Sequence, residues 1–478
     1  MLNIINGKEV TSSDKKIMKI INPYTGRLVD TVPSSTEKDA QKAISYAKKA
    51  QKSWAKVPVH VKGDILRKFI ALVEENKQDL AKTLCMETGK PIVQAIAEIR
   101  NIKISFEAFI EKAKHLYGNV IPAGSEEGQE NSLQFTLREP LGVMVAIIPF
   151  NFPCDLFDQK VAPAILAGNT IIVKPPHQNP LTLIKLVKLM HEAGLPNGVV
   201  QILTGEGAIV GNALARDPNV HGITFTGSTP VGKTTYLNGA SHFAHVALEL
   251  GGNDAFIVLN DADIDLAVEE VIWGRMYNTG QVCCASKRFI VQRGVLKEFE
   301  EKVVARVKKL VVGNPLDKKT EIGALINVSA CEKAMRQINQ IVEEGGRILC
   351  GAECSGAVLM PTVITDIPPT AAVALDEEVF APVVSIIPCD TEEEALKIAN
   401  ASNYGLCGCI FTRDMKKAFK FANELECGGV VINGASFHRS FEIPFGGYKF
   451  SGIGTEGVMS TFDEVTKTKT ITLKNIYK

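Results

Sequence analysis

The sequence lacks a net charge, a long apolar run and a cysteine framework. Its 478 residues carry 53 Lys and Arg against 53 Asp and Glu. That balance gives no global attraction to nucleic acid or to an anionic membrane surface. The most apolar stretch, 141–153, is broken by Gly142, Pro149 and Asn151 and is too short to cross a bilayer. Residues 1–10 have neither the cationic start nor the apolar core of a secretory signal. Cysteine is present, 11 residues in all, but scattered and odd in number. Cys350 with Cys354, and Cys407 with Cys409, have no His or second Cys pair at ligand spacing, so no metal is expected. The cysteines read as free thiols in a reducing cytoplasm. Gly 39 and Pro 22 are too few for a fibrous or disordered chain. The remaining class is a neutral enzyme, long enough for about three lobes.

No period of 20–50 residues recurs, which excludes solenoids and propellers. Short β-branched runs instead alternate with amphipathic stretches. Residues 143–148, 170–173, 199–203 and 222–226 read as strands, and 156–167 and 181–193 as helices, the latter stopped by Gly194. This spacing predicts a parallel α/β sheet with covered faces. A second such run follows: strand 255–259, helix 262–277, strand 288–291, helix 296–310. Residues 35–117 are helical in pattern and 133–136 alternates. The tail 467–473 alternates Lys and Thr with Ile and Leu, a polar-faced strand that needs a partner, in this chain or another subunit.

Gly227-Ser-Thr-Pro-Val-Gly232-Lys233-Thr234 satisfies the P-loop pattern G-x-x-x-x-G-K-[ST] after a strand. A P-loop ATPase is one reading. The other is a dinucleotide turn, in which Gly227 and Gly232 let the backbone and a helix N-terminus approach a pyrophosphate. Three further segments bear on the choice: Pro149-Phe-Asn-Phe-Pro153, Leu248-Glu249-Leu-Gly-Gly252 and Gly280-Gln-Val-Cys283-Cys284. With Lys174-Pro175, Phe225-Thr-Gly-Ser228, Glu378-Val-Phe380-Ala-Pro382 and Pro444-Phe-Gly-Gly447, these occur in the order found in the aldehyde dehydrogenase superfamily. The sequence resembles that superfamily from about residue 20 to 475. Its C-terminal segment is most similar to lactaldehyde and phosphonoacetaldehyde dehydrogenases.

The resemblance implies an α/β fold with a Rossmann-like cofactor domain (1–116 and 139–248), a catalytic α/β domain (249–435) and a small β oligomerisation arm (117–138 and 463–478). Residues 436–462 would return to the cofactor domain and the substrate mouth. It implies Cys283 as nucleophile, Asn151 as oxyanion donor and Glu249 as the base for thioester hydrolysis. Relatives that transfer the acyl group to coenzyme A generally lack this glutamate, so a free acid is expected. Ile148, Pro149, Phe150, Lys174, Gly207, Gly227, Ser228, Gly232, Glu378 and Phe380 match cofactor-binding positions. One position departs. NAD-preferring relatives usually carry a glutamate three residues after the lysine, but here His177 stands there. Histidine does not repel a 2′-phosphate, so NADP is expected to be accepted beside NAD. Arg439 and Arg100 at the mouth, with Phe157 lining an apolar entrance, point to a short hydroxylated or anionic aldehyde. A homodimer or homotetramer is implied, with no nucleic acid or membrane partner.

Overall fold

The computed structural model describes residues 1–476; Tyr477 and Lys478, the end of the expected arm, lie outside the described residues. Runs that are apolar on both faces form two mainly parallel sheets, because strands covered by helices on each side have no polar face to alternate with. The first sheet has eight strands, ordered Lys8–Val10, Asn3–Ile5, Val200–Ile202, Thr170–Lys174, Val143–Ile147, Gly222–Thr226, His245–Glu249 and Gly452–Ile453. From Val143–Ile147 the chain builds outward through Thr170–Lys174 and Val200–Ile202, then returns to the other side with Gly222–Thr226. The strand order reverses there. In open parallel sheets the crevice beyond the carboxyl ends at such a reversal is where ligands bind.

The second sheet has seven strands, ordered Arg347–Cys350, Thr362–Thr365, Val383–Cys389, Ser286–Gln292, Asp254–Val258, Cys407–Phe411 and Gly429–Ile432. All neighbours run parallel except the first pair. The stretch 35–117 holds the helices Glu37–Trp54, Val59–Glu75, Lys77–Thr88 and Ile92–Ala113. The last of these packs on Pro153–Leu166, a helix buried along almost its whole length. The α/β class expected from the sequence is the class observed.

The bounds of one helix, a cysteine pair and the P-loop differ from expectation, and the tail strand shows which of its two possible partners it takes. The helix expected over 262–277 is α-helical only from Ile264 to Val271, then widens into a π turn and ends in a tight turn at Tyr277–Gly280. There Asn278 and Thr279 adopt φ of 51° and 55°, a region that side chains other than glycine enter only when their surroundings impose it. The tail strand Thr466–Lys474 finds its partner in its own chain. It pairs antiparallel with Ser132–Pro140, from Thr466↔Pro140 to Lys474↔Ser132, and Val120–Ile121 adds a third strand. Two cysteines are not free: Cys331 and Cys354 form a disulfide, with Cα atoms 6.4 Å apart. The start of helix Val328–Glu343 packs beside the Cys354–Ser355 strand, so residues 23 apart in sequence meet.

The P-loop reading also fails. The helix begins at Thr229, so Gly232, Lys233 and Thr234 are already inside it. The Gly232 N–H donates to Ser228 O at 2.9 Å and the Gly227 N–H to Glu249 O at 3.0 Å. A phosphate-cradling loop needs such donors free, and here they are occupied. Gly232 serves packing instead: a Cβ would lie 2.3 Å from Leu250 Cδ2, which matches the close helix–strand contact of a dinucleotide turn. Among the described residues, no helix is long and apolar enough to cross a membrane.

Candidate active site

A cleft of about 690 Å³ opens at the strand-order reversal, bordered by Pro149, Phe150, Asn151, Ser228, Cys283 and Glu378. A second cavity of about 580 Å³, bordered by His177, Glu206 and Gly207, shares Ile326 with it. The two are adjoining lobes that meet at Ile326, and Cys283 borders the first. Thr226 borders the first lobe and carries a buried hydroxyl with no hydrogen-bond partner. A Cβ on Gly251 would lie 2.7 Å from Glu378 Oε2, so glycine there leaves room for the Glu378 carboxylate at the cleft wall. These features suit a molecule of two joined nucleotides.

The tight turn at 277–280 delivers Cys283 to the cleft, and neighbouring side chains fix it. Asn278 N–H donates to Gln94 Oε1 at 2.9 Å, and Asn278 Nδ2 donates to Asn151 O at 3.0 Å. Gln281 Oε1 accepts from Ile326 N–H at 2.9 Å. Asn151 is buried, and its Nδ2 donates to Gln281 O at 3.1 Å. Because an amide nitrogen carries two hydrogens, one donor remains.

The Cys283 thiol is lowered to about 7. The hydrogen bond with the Cys284 thiol is the largest cause; burial opposes it, while Lys287 and Arg439 assist. Cys284 itself is pushed well above the usual thiol range. Glu249, the last residue of its strand, is buried with both carboxylate oxygens unpartnered. Burial first, and then the neighbouring Glu456 charge, raise its carboxyl well above the ordinary range. Beside it Lys160 Nζ pairs with Glu456 and donates to Thr224 Oγ1 at 3.1 Å. Glu249, Lys160 and Glu456 enclose a cavity of about 10 Å³, roughly the space of one water.

The aldehyde dehydrogenase family model matches residues 10–471. The chain belongs to that family. It is 37% identical to a lactaldehyde dehydrogenase of Methanococcus aeolicus, over 98% of each chain. It is 36% identical to a 3-sulfolactaldehyde dehydrogenase of Priestia aryabhattai, over 98% of this chain and 97% of that one. Among solved structures, an E. coli NADP-dependent enzyme superposes with a TM-score of 0.96 at 34% identity, over 99% of this chain and 98% of the other. The protein is therefore an NAD(P)-dependent aldehyde dehydrogenase.

The remaining expected site residues of this aldehyde dehydrogenase divide into two sets. Pro149, Phe150, Gly227, Ser228, Glu378 and Phe380 border the first lobe, and His177 and Gly207 the second. Lys174 is buried, and burial lowers its ammonium to about 8. Ile148 and Gly232 are buried and border neither lobe. Phe157 is fully buried in the core cluster with Phe106 and Phe109, a correction to its expected place at the entrance. Its helix turns that side chain inward, whereas the aromatic group beside Asn151 comes from Phe152, Tyr277, Trp273 and Phe437. Arg100 is exposed, and its charge reaches the Tyr277 phenol.

Arg439 is largely committed within the protein. It bonds Gln159, lies 3.5 Å from Glu456 Oε2 and stacks 3.9 Å from the Phe445 ring centroid. Sequence reasoning missed Lys160, Glu456 and Lys287. Lys160 alone had a signal, as a lone cation inside the apolar run 156–166.

The turn also yields a stability test. Gly280 has φ of 74°, and a Cβ there would lie 2.4 Å from the Ala381 carbonyl carbon. Gly280→Ala is expected to destabilise the fold by on the order of 1–3 kcal/mol, read as a lowered Tm in thermal denaturation. An unchanged Tm would show that the turn tolerates other geometries.

Proposed function

We propose that the enzyme oxidises a short hydroxylated or anionic aldehyde to the free acid through a thioester on Cys283. The observation that carries this reading is a lowered thiol at Cys283 bordering the first of two adjoining lobes, with a raised, unpartnered carboxyl at Glu249 nearby. The Cys283 thiolate attacks the aldehyde carbon. The developing oxyanion takes the spare N–H of Asn151. Pro149, Phe150, Ser228, Glu378 and Phe380 would hold a nicotinamide nucleotide in the first lobe, where it would supply the acceptor for the hydride that leaves the thiohemiacetal carbon on Cys283. A water then attacks the resulting thioester and gives its proton to Glu249, whose raised affinity for protons suits a base working near neutral pH. Lys160 and Glu456, across the one-water cavity, offer that proton a way out. The acid leaves and the thiol is restored. The glutamate favours hydrolysis over transfer to coenzyme A.

In this reading Lys174, Ser228 and Glu378 hold the ribose and phosphate groups, and Phe380 packs beside them. His177 admits NADP as well as NAD: burial and Lys174 keep its imidazole mostly neutral, able to donate to a phosphate rather than repel it. Glu206 in the same lobe limits the preference. His177→Glu is expected to reduce kcat/KM with NADP by roughly ten-fold or more relative to NAD, since like charges in contact cost several kcal/mol. An unchanged ratio of the two efficiencies would remove His177 from cofactor choice.

Arg439 retains one buried unpartnered donor, Nε, which can donate to a substrate oxygen. The similarity to enzymes named for lactaldehyde and 3-sulfolactaldehyde is consistent with a substrate of that size. We assign the division into cofactor domain, catalytic domain and arm at the boundaries given above. Val120, Leu137 and Leu473 leave apolar surface exposed on the three-stranded sheet of the arm, which suits a homodimer or homotetramer. A cytoplasmic location fits the nine thiols that stay free.

The chemistry is tested by pre-steady-state absorbance at the reduced-nicotinamide band. Glu249→Gln is expected to give about one equivalent of reduced cofactor per site in a burst, then little turnover. Asn151→Ala is expected to lower kcat by about 10²–10³-fold. Steady turnover without a burst in Glu249→Gln would contradict the assigned base.

A further inference from the structure

Lys287, in the strand Ser286–Gln292, is 1% exposed. A buried ammonium requires compensation, and two groups on the cleft supply it. Its Nζ donates to the carbonyl oxygen of Cys283 at 2.5 Å and stands 3.2 Å from Glu378 Oε1. The same nitrogen is 6.0 Å from the centroid of the Phe380 ring. Glu378 is itself held, with the Gly252 N–H 3.5 Å from Oε1. A single cation therefore joins the backbone of the nucleophile turn to a carboxylate on the cofactor cleft. The other charged and titratable groups that act on Cys283 are Cys284 on the same turn, Arg439 from the C-terminal loop, Glu249 at its strand end, and Glu378. Asp254 and Cys407 approach from neighbouring strands.

We propose that Lys287 is a positioning residue that links the seating of the cofactor at Glu378 to the charge state of Cys283, an inference that rests on Cys283 being the nucleophile. Without ligand, Glu378 neutralises much of the Lys287 charge. Ribose hydroxyls donating to Glu378 draw its negative charge toward themselves. Lys287 then acts more strongly on Cys283, and the thiolate becomes more populated. Thermodynamic reciprocity requires that the thiolate tighten cofactor binding by the same factor. No bond forms or breaks in this step, so the cation stays in place and only its partition between two anions changes.

The test is the rate of Cys283 carbamidomethylation by iodoacetamide, followed by peptide mass spectrometry with and without NAD, from about pH 5.5 to about pH 9. Thiolate reactivity rises with pH through the thiol's titration. The wild-type midpoint is expected near about 7, and lower with NAD. In Lys287→Met the midpoint should rise by about one unit, making alkylation near pH 6 roughly ten-fold slower, and the NAD-dependent shift should vanish. Lys287→Arg should restore most of both effects. Glu378→Gln, measured without NAD, should move the midpoint down, opposite to Lys287→Met. A wild-type profile in Lys287→Met, an NAD shift that persists there, or a midpoint raised by both substitutions would overturn the proposal. Alkylation does not require turnover. If Cys283→Ser kept full dehydrogenase activity, the nucleophile assignment would fail while these profiles still decided the role of Lys287.

Discussion

The proposed chemistry sets one electrostatic constraint: a thiolate and a carboxylate must act near each other without suppressing each other. In the proposed reaction Cys283 loses its proton near neutral pH and Glu249 takes one. Two neighbouring anions in low dielectric repel strongly. The protein separates their environments. Cys283 has the Cys284 thiol and two cations beside it and is lowered. Glu249 is buried next to Glu456 and raised. Lys287, Arg439 and Lys160 distribute positive charge around the pair, each held by an acidic partner.

The fold serves this arrangement by bringing distant segments to one crevice. Strand order reverses between Val143–Ile147 and Gly222–Thr226, which places Asn151 and Ser228 on the same edge. Glu249 ends the adjoining strand. The strained turn at Asn278 and Thr279 then brings Cys283 in from the second sheet, fastened to the first by the Asn278–Asn151 and Asn151–Gln281 hydrogen bonds. Glycines at 251 and 252 keep the crossing open: a Cβ on Gly252 would come within 3.0 Å of Cys283 O.

Much of the first sheet was legible in the sequence, since parallel strands buried on both faces read as unbroken β-branched runs, as in 222–226. The family motifs also pointed to Cys283, Asn151 and Glu249, which the fold brings close together. What escaped was long-range or non-periodic. Lys160 and Glu456 lie 296 residues apart, and no local pattern relates them. The end of helix Ile264–Val271 was hidden because the residues after it keep an apolar spacing while the backbone widens into a π turn. Arg439 was noticed for its charge, but its partners Gln159 and Glu456 exist only in the folded chain. Gly227–Thr234 matched a P-loop because a pattern of letters does not report whether its N–H groups are free.

The central claim, a thioester on Cys283 released by a Glu249-activated water, is tested most directly by the mass of the enzyme itself. Glu249→Gln would be mixed with NAD and lactaldehyde, quenched in acid after about one turnover, and digested for peptide mass spectrometry. The account predicts the acyl adduct on the peptide containing Cys283, accumulating to about one per active site. Reduced cofactor formed in that time with no adduct on Cys283 would contradict it.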